Sequence, residues 1–294
     1  MKKRNSLIEL YRFIFAINVI KSHALLPYDG PYFGPGRISV EFFFILTGYL
    51  LIKSMKKHLD KPFKKSIIDF FISKLKLIGI PVLIAIPFNI IYSVITKGNI
   101  NIWGFLWYVH QMLNCFAIFF IIRYFVKNEK VFFAIIALTA ILATTLNVFP
   151  EFYELGIVRA LMGISIGMLL SYIPPLKIKK SFIWMLLIPI QITIIYVLTF
   201  GIGHDMIIEK LLHIFLYPLL IYLTFQLEID NKVFNYLGSL SFGLYAFQCV
   251  ARPLPLFGLE NVWILFGIIV LLTLLEDGLK RYIKYNKSKK MITN

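Results

Sequence analysis

The sequence predicts an all-α fold, a polytopic transmembrane helical bundle of about ten spans with both termini cytoplasmic. Three observations lead there. Of 294 residues, 59% are hydrophobic and only 16% charged, against roughly 45–50% and about 25% in soluble domains. Apolar stretches of about 20 residues, the length a helix needs to cross a hydrocarbon core of about 30 Å, recur along the whole chain. The formal net charge of +16, from 31 Lys+Arg against 15 Asp+Glu, gathers in the short segments between those stretches. So apolar a chain is no polyanion-binding surface, because nucleic-acid-binding proteins are charge-rich throughout. The expected partner is the lipid bilayer, and no nucleic acid.

In chain order the stretches are residues 7–26, 38–54, 75–96, 104–124, 131–149, 155–173, 181–201, 207–227, 236–254 and 260–280. The first carries Glu9, Arg12, Asn18, Lys21 and His23 and lacks a small-x-small cleavage site, so it reads as a retained span and not a signal peptide. The second is short and the ninth is interrupted by Gly and polar residues, which makes these two the weakest. In lipid each backbone polar group must be satisfied within its own segment, so stretches of this length are helices. Barrel strands would be shorter and strictly alternating.

Placing the N-terminus inside puts Lys53, Lys56, Lys57, Lys61, Lys64, Lys65, Arg123, Lys127, Lys130, Lys177, Lys179, Lys180 and Lys232 in inner segments, with Lys74 and Lys76 just beyond. With the three basic residues at the N-terminus and six from Lys280 to Lys290, 24 of the 31 basic residues fall on one side. That is the positive-inside pattern. The chain reads as one integral membrane domain over 1–294, with 281–294 a basic cytoplasmic tail and 53–65 the longest polar stretch. Cys115 and Cys249 both fall in apolar spans, so neither a disulfide framework nor a metal site is expected. A Walker-type or GxGxxG phosphate loop is absent, which weakens an ATP-driven pump.

Ionisable residues inside a span are costly, so each is a functional candidate. Arg12 and His23 are eleven residues apart, three helical turns plus about 20°, which puts both on one face about 16 Å apart. Arg12 either binds an anion or snorkels to the inner headgroups, and His23 is either a deep imidazole or a cap at the outer end. Glu41, near the outer end of the second span, lies at a depth similar to His23. A His–carboxylate pair suits general-base work, since the carboxylate fixes the tautomer and stabilises the imidazolium. An ion pair of Glu41 with Arg37 one turn away fits equally. Trp107, Tyr108, His110 and Gln111 read as sugar-stacking groups or as an interfacial aromatic belt. Arg159, early in its span, is expected at an outer aqueous cavity, on acceptor or in a structural ion pair. His213 and His58 read as a packed polar residue and a loop residue. Glu276 and Asp277 are expected to pair with Lys280 and Arg281 one turn on.

Arg12, ten residues, His23, and then Ser39-Val40-Glu41-Phe42-Phe43-Phe44-Ile45-Leu46-Thr47-Gly48-Tyr49 resemble the opening of the acyltransferase-3 family of integral membrane acyltransferases. Trp107-Tyr108, the run from Arg159 to Gly167, the run from Leu237 to Tyr245, and Glu276 resemble later family segments, so the similarity spans most of the chain. Ser39 stands for the family's Gly and Thr47 for its Ser. Lys74 and Lys76 stand where the family has Arg-x-x-Arg, Gln248 replaces its late His, and Gly278 its closing Pro.

The resemblance implies acyl transfer, often acetyl, from cytoplasmic acyl-coenzyme A to a carbohydrate hydroxyl at the surface of a bacterial cytoplasmic membrane. It makes His23 the catalytic base or acyl-relay residue and Glu41 its partner. Arg12, with Lys74 and Lys76, serves the donor; Trp107, Tyr108 and Arg159 serve the acceptor. Acyl-coenzyme A is a co-substrate, with no permanently bound cofactor. A transporter or flippase for a glycan precursor or small solute is the alternative, since it too needs many spans with intramembrane charges.

Overall fold

The computed structural model describes residues 5–24, 36–153, 155–200, 206–251, 253–259 and 261–292. Every regular element among them is helical: α1 (Ser6–Ala24), α2 (Gly36–Lys56), α3 (Phe63–Lys97), α4 (Trp107–Phe125), α5 (Glu129–Leu146), the short α6 (Pro150–Tyr153), α7 (Gly156–Leu170), α8 (Lys180–Phe200), α9 (Met206–Leu211), α10 (Tyr217–Phe225), α11 (Lys232–Ala251) and α12 (Val262–Ile292). Among the described residues, each of the ten expected stretches overlaps helix. Seven helical segments are long and apolar enough to cross a membrane: Ile38–Lys56, Phe63–Lys97, Trp107–Phe125, Glu129–Leu146, Lys180–Thr199, Ile208–Phe225 and Val262–Ile283. The second stretch, expected to be weak, is among them. α7 is shorter, at 15 residues, and α1 and α11 are not among the seven.

Two boundaries differ from expectation. α3 begins at Phe63, twelve residues before the expected start at 75. The extra turns are amphipathic and anchored: Ser66 donates to the His58 carbonyl at 2.5 Å, Asp69 pairs with Lys61, and the Phe70 ring stacks on Phe120 at 4.5 Å. Hydropathy alone misses a helix that continues past its apolar part. Likewise the basic stretch from 281 continues α12 as helix to Ile292.

The described chain divides into two compact units. One comprises Met1–Gly30, Ile78–Leu106 and Asp230–Asn294. Within it α1 packs along α11, and α11 along α12. Asn5 caps α1 by accepting from the Leu7 N–H at 3.1 Å, and Ser6 Oγ accepts from the Asn231 N–H at 2.7 Å. Gly238 of α11 lies so close to Glu9 that a Cβ there would overlap the Glu9 side chain and backbone. Matching contacts advance together from Ser6 with Asn231 to Glu9 with Gly238, so α1 and α11 run parallel.

The other unit comprises Pro31–Leu77 and Trp107–Ile229. Its centre is the pairing of α2 with α7, backed by α5 and α4. Gly163 and Gly167, one turn apart on α7, meet α2 at Phe44, Ile45 and Tyr49, and Gly48 of α2 meets the Ile164 carbonyl. A Cβ at Gly48 or Gly167 would overlap the partner's backbone. Small residues one turn apart let helix backbones approach closely in lipid, where dispersion contacts rather than water exclusion drive association. Here too the contacts advance together, Phe44 with Gly163 and Tyr49 with Gly167, so α2 and α7 are parallel. Between α9 and α10 the ladder widens into a π turn, Leu212–Leu216, closed by the Tyr217 N–H donating to the Leu212 carbonyl.

Replacing Gly167 by Val is expected to cost about 3 kcal/mol or more by forcing α2 and α7 apart. Gly278→Ala, where nothing lies within 4 Å of the added methyl, is expected to be neutral or to stabilise by up to about 1 kcal/mol. Thermal unfolding of the two variants in detergent checks the contrast.

Candidate functional site

The parallel α2–α7 seam fixes what lies one turn before it. Glu41 precedes Ile45 by four residues and Arg159 precedes Gly163 by four, so each projects one turn before the seam, at a common level. There the Arg159 Nε donates to Glu41 Oε1 at 2.6 Å. Both are buried, Glu41 at 0% exposure and Arg159 at 7%. The bond joins two groups either of which, left alone and charged in a low-dielectric interior, would carry a large desolvation penalty.

Aromatic rings enclose the pair. The Arg159 guanidinium lies 4.8 Å from the Trp107 ring centroid, a cation–π contact. Trp107 also meets Phe44 at 6.0 Å and sits over Gly156, where a Cβ would come 3.0 Å from the ring. Tyr108 packs on Phe44 at 4.7 Å, and its hydroxyl lies 3.2 Å from Thr47 Oγ1. Tyr108 is buried and Trp107 half-buried within their unit. On the far side of the carboxylate, His213 of the π turn places Nε2 3.9 Å from Glu41 Oε2. Tyr217, one turn on, packs edge-on against Phe42 at 6.1 Å and feels the charges of Glu41 and Glu209.

Several expectations are corrected by this arrangement. Arg159 is buried in an ion pair instead of facing a cavity. The cation bound to Glu41 is Arg159, from 118 residues away, where Arg37 was one candidate; the Arg37 side chain lies outside the described residues. His213, read as a packed polar residue, is packed, but against the Glu41 carboxylate. Its position was the part the sequence hid, since only the π turn aims it there.

In the first unit, Arg12 and His23 share the continuous helix α1, with the spacing the sequence predicts. The His23 side chain lies outside the described residues. Arg12 Nη1 donates to Glu9 Oε2 at 2.7 Å, with 30% of the Arg12 side chain still exposed. The Glu9 partner went unnoticed from sequence, although its i,i+3 spacing is a sufficient signal. Gln248 is buried on α11. Glu276 pairs with Lys280, and Asp277 with Arg281 at 2.8 Å, both as their spacing predicts.

Basic groups at the end of α2 opposite Glu41 are already engaged. Lys74 donates to Ser54 Oγ at 2.5 Å and lies 5.0 and 5.2 Å from the Phe70 and Phe116 rings; Lys76 is exposed. Lys56 and Arg123 both pair with Glu129, at 3.3 and 2.8 Å. Tyr172 donates to the same carboxylate at 3.1 Å. In the turn after α2, burial together with the Lys61 charge hold His58 below the ordinary histidine range. Among the described residues, no three His, Cys, Asp or Glu side chains gather where they could hold a metal ion.

The family model described as an acyltransferase domain matches residues 5–275. The chain therefore belongs to the acyltransferase-3 family and is a membrane acyltransferase, acting on groups other than aminoacyl. No curated protein and no solved structure matches it.

Arg159→Met leaves a buried carboxylate uncompensated and is expected to cost roughly 3–5 kcal/mol. Adding Glu41→Gln to it should recover part of that loss, since the double variant buries no lone charge. Thermal unfolding of both single variants and the double variant in detergent measures the recovery.

Proposed function

We propose that this acyltransferase is an O-acyltransferase of the bacterial cytoplasmic membrane, moving an acyl group, in the first instance acetyl, from cytoplasmic acyl-coenzyme A to a hydroxyl of a cell-surface or exported carbohydrate. The observation that carries the reading is α1: one unbroken helix bearing Arg12 and His23 three turns apart, in a chain of an acyltransferase family.

In this reading His23 takes the proton of the acceptor hydroxyl as its oxygen attacks the thioester carbonyl. The carbon–sulfur bond breaks, coenzyme A leaves as thiolate, and the imidazolium returns the proton to it. Glu41 is the acidic partner, its charge stabilised by Arg159. Arg12, with Lys74 and Lys76, serves the phosphates of the donor; a lysine does so as a point charge, without the guanidinium fork. Trp107 and Tyr108 serve the acceptor side, while Arg159 is committed to Glu41. Acyl-coenzyme A enters as co-substrate.

An alternating ten-span topology with both ends inside supports cytoplasmic donor supply. A chain that reverses at each crossing runs its second and sixth spans in one direction and its first and ninth in one direction. The parallel pairs α2 with α7 and α1 with α11 fit that demand.

Membranes supplied with labelled acetyl-coenzyme A should transfer label to envelope carbohydrate. His23→Ala should lower that transfer by about 100-fold or more. Unchanged transfer would remove His23 from the chemistry. Solute or glycan movement with no acylated product would instead favour a transporter.

A further inference from the structure

His213 has no part in the transfer as described so far, and its placement asks for one. It is 2% exposed in a span with few polar residues, where an ionisable side chain is costly and marks function by default. It sits in a π turn, Leu212–Leu216. Such turns are rare and frequent at functional sites. The widened turn aims the imidazole across to α2, where Nε2 is 3.9 Å from Glu41 Oε2. Arg159 holds the other oxygen of that carboxylate at 2.6 Å. Glu41 thus lies between a permanent cation and a group that becomes a cation on protonation.

We propose that His213 is a positioning residue for Glu41: it fixes the carboxylate against Arg159 and, on taking a proton from water, closes an imidazolium–carboxylate contact at the second oxygen. The role in transfer rests on the acyltransferase function proposed above. At 3.9 Å a neutral imidazole makes no hydrogen bond to the carboxylate. A proton on Nε2 turns the same spacing into an ion pair, which a small side-chain rotation brings to a charge-assisted bond of about 2.8 Å. Glu41 then has a cation at each oxygen and a single orientation, so a proton gained at His213 is felt wherever Glu41 acts.

The groups facing His213 belong to three elements. Glu41 of α2 faces the imidazole directly, Arg159 of α7 lies on the other oxygen of that carboxylate, and Tyr217, one turn on, has its ring centroid 6.1 Å from that of His213; Glu209 lies four residues before His213. α8 packs against α10 with aliphatic side chains, and its buried residues among those described are all apolar.

Two readings test the proposal, both on the full chain. The first is a double-mutant cycle of melting temperature in detergent with His213→Gln, Glu41→Gln and the double variant. The histidine gains its partner when protonated, so the coupling must be present at low pH and fade as pH rises. It should be larger by about 2 °C or more at acid pH than at alkaline pH. The second is labelled acetyl transfer from acetyl-coenzyme A in membranes at about pH 6 and about pH 8. His213→Gln, which hydrogen-bonds but cannot protonate, should lower kcat with the donor KM unchanged and change the ratio of the two rates about threefold or more.

A His213→Phe variant that fails to fold does not matter to either reading, because Gln keeps the polar contact. Coupling that is zero or the same at both pH values overturns the contact. A rate ratio equal to wild type overturns the positioning role. Wild-type membranes that transfer no label, with pH-dependent coupling intact, sink the proposed function and with it the role in transfer, while the contact itself stands.

Discussion

A carboxylate and a guanidinium buried together in an apolar interior constrain everything around them. Neither Glu41 nor Arg159 tolerates loss of the other, and their 2.6 Å bond demands that two helices from distant parts of the chain meet at one level. The glycines at 48, 163 and 167 meet that demand by letting α2 and α7 touch at backbone distance. Bulkier residues there would widen the seam and pull the ion pair beyond bonding range. The rest of the second unit follows from the pair. Trp107 takes the outer face of the guanidinium, Phe44 braces both Trp107 and Tyr108, and the π turn sets His213 against the remaining carboxylate oxygen.

The first unit repeats the theme with lighter constraint. Glu9 and Arg12 are neighbours on one helix, the carboxylate buried and the guanidinium side chain 30% exposed, so the pair is less enclosed than Glu41 with Arg159. Gly238 brings α11 onto Glu9, and the carboxylate in turn holds the Arg12 guanidinium in place. An arginine held this way presents its charge in one direction at little further entropic cost.

How much of this was legible follows from the range of each interaction. Helix positions were legible because twenty apolar residues in lipid leave the backbone no other state. Glu276 with Lys280 and Asp277 with Arg281 were legible because helix periodicity alone makes them neighbours. Glu41 stood out as a carboxylate in an apolar run, but its partner lies 118 residues away, and periodicity gives a face without saying what faces it. The Gly163 and Gly167 spacing was visible, yet only the fold shows that it serves to carry Arg159 to Glu41. His213 stood out only as an imidazole in an apolar span, and nothing in the composition of a π turn says where it is aimed. The start of α3 was missed for the opposite reason: its first turns hold together through Ser66, Asp69 and Phe70, not through hydropathy.

The central claim is that these helices serve transfer of an acyl group to a surface carbohydrate. The most direct measurement is the intact mass of surface polysaccharide from cells that make the protein and from cells that lack it. The account predicts that carbohydrate from producing cells is heavier by whole acyl units, in acetyl steps if acetyl is the group carried, and that mild alkaline de-esterification removes the difference. Identical masses, with carbohydrate abundant in both, would contradict it.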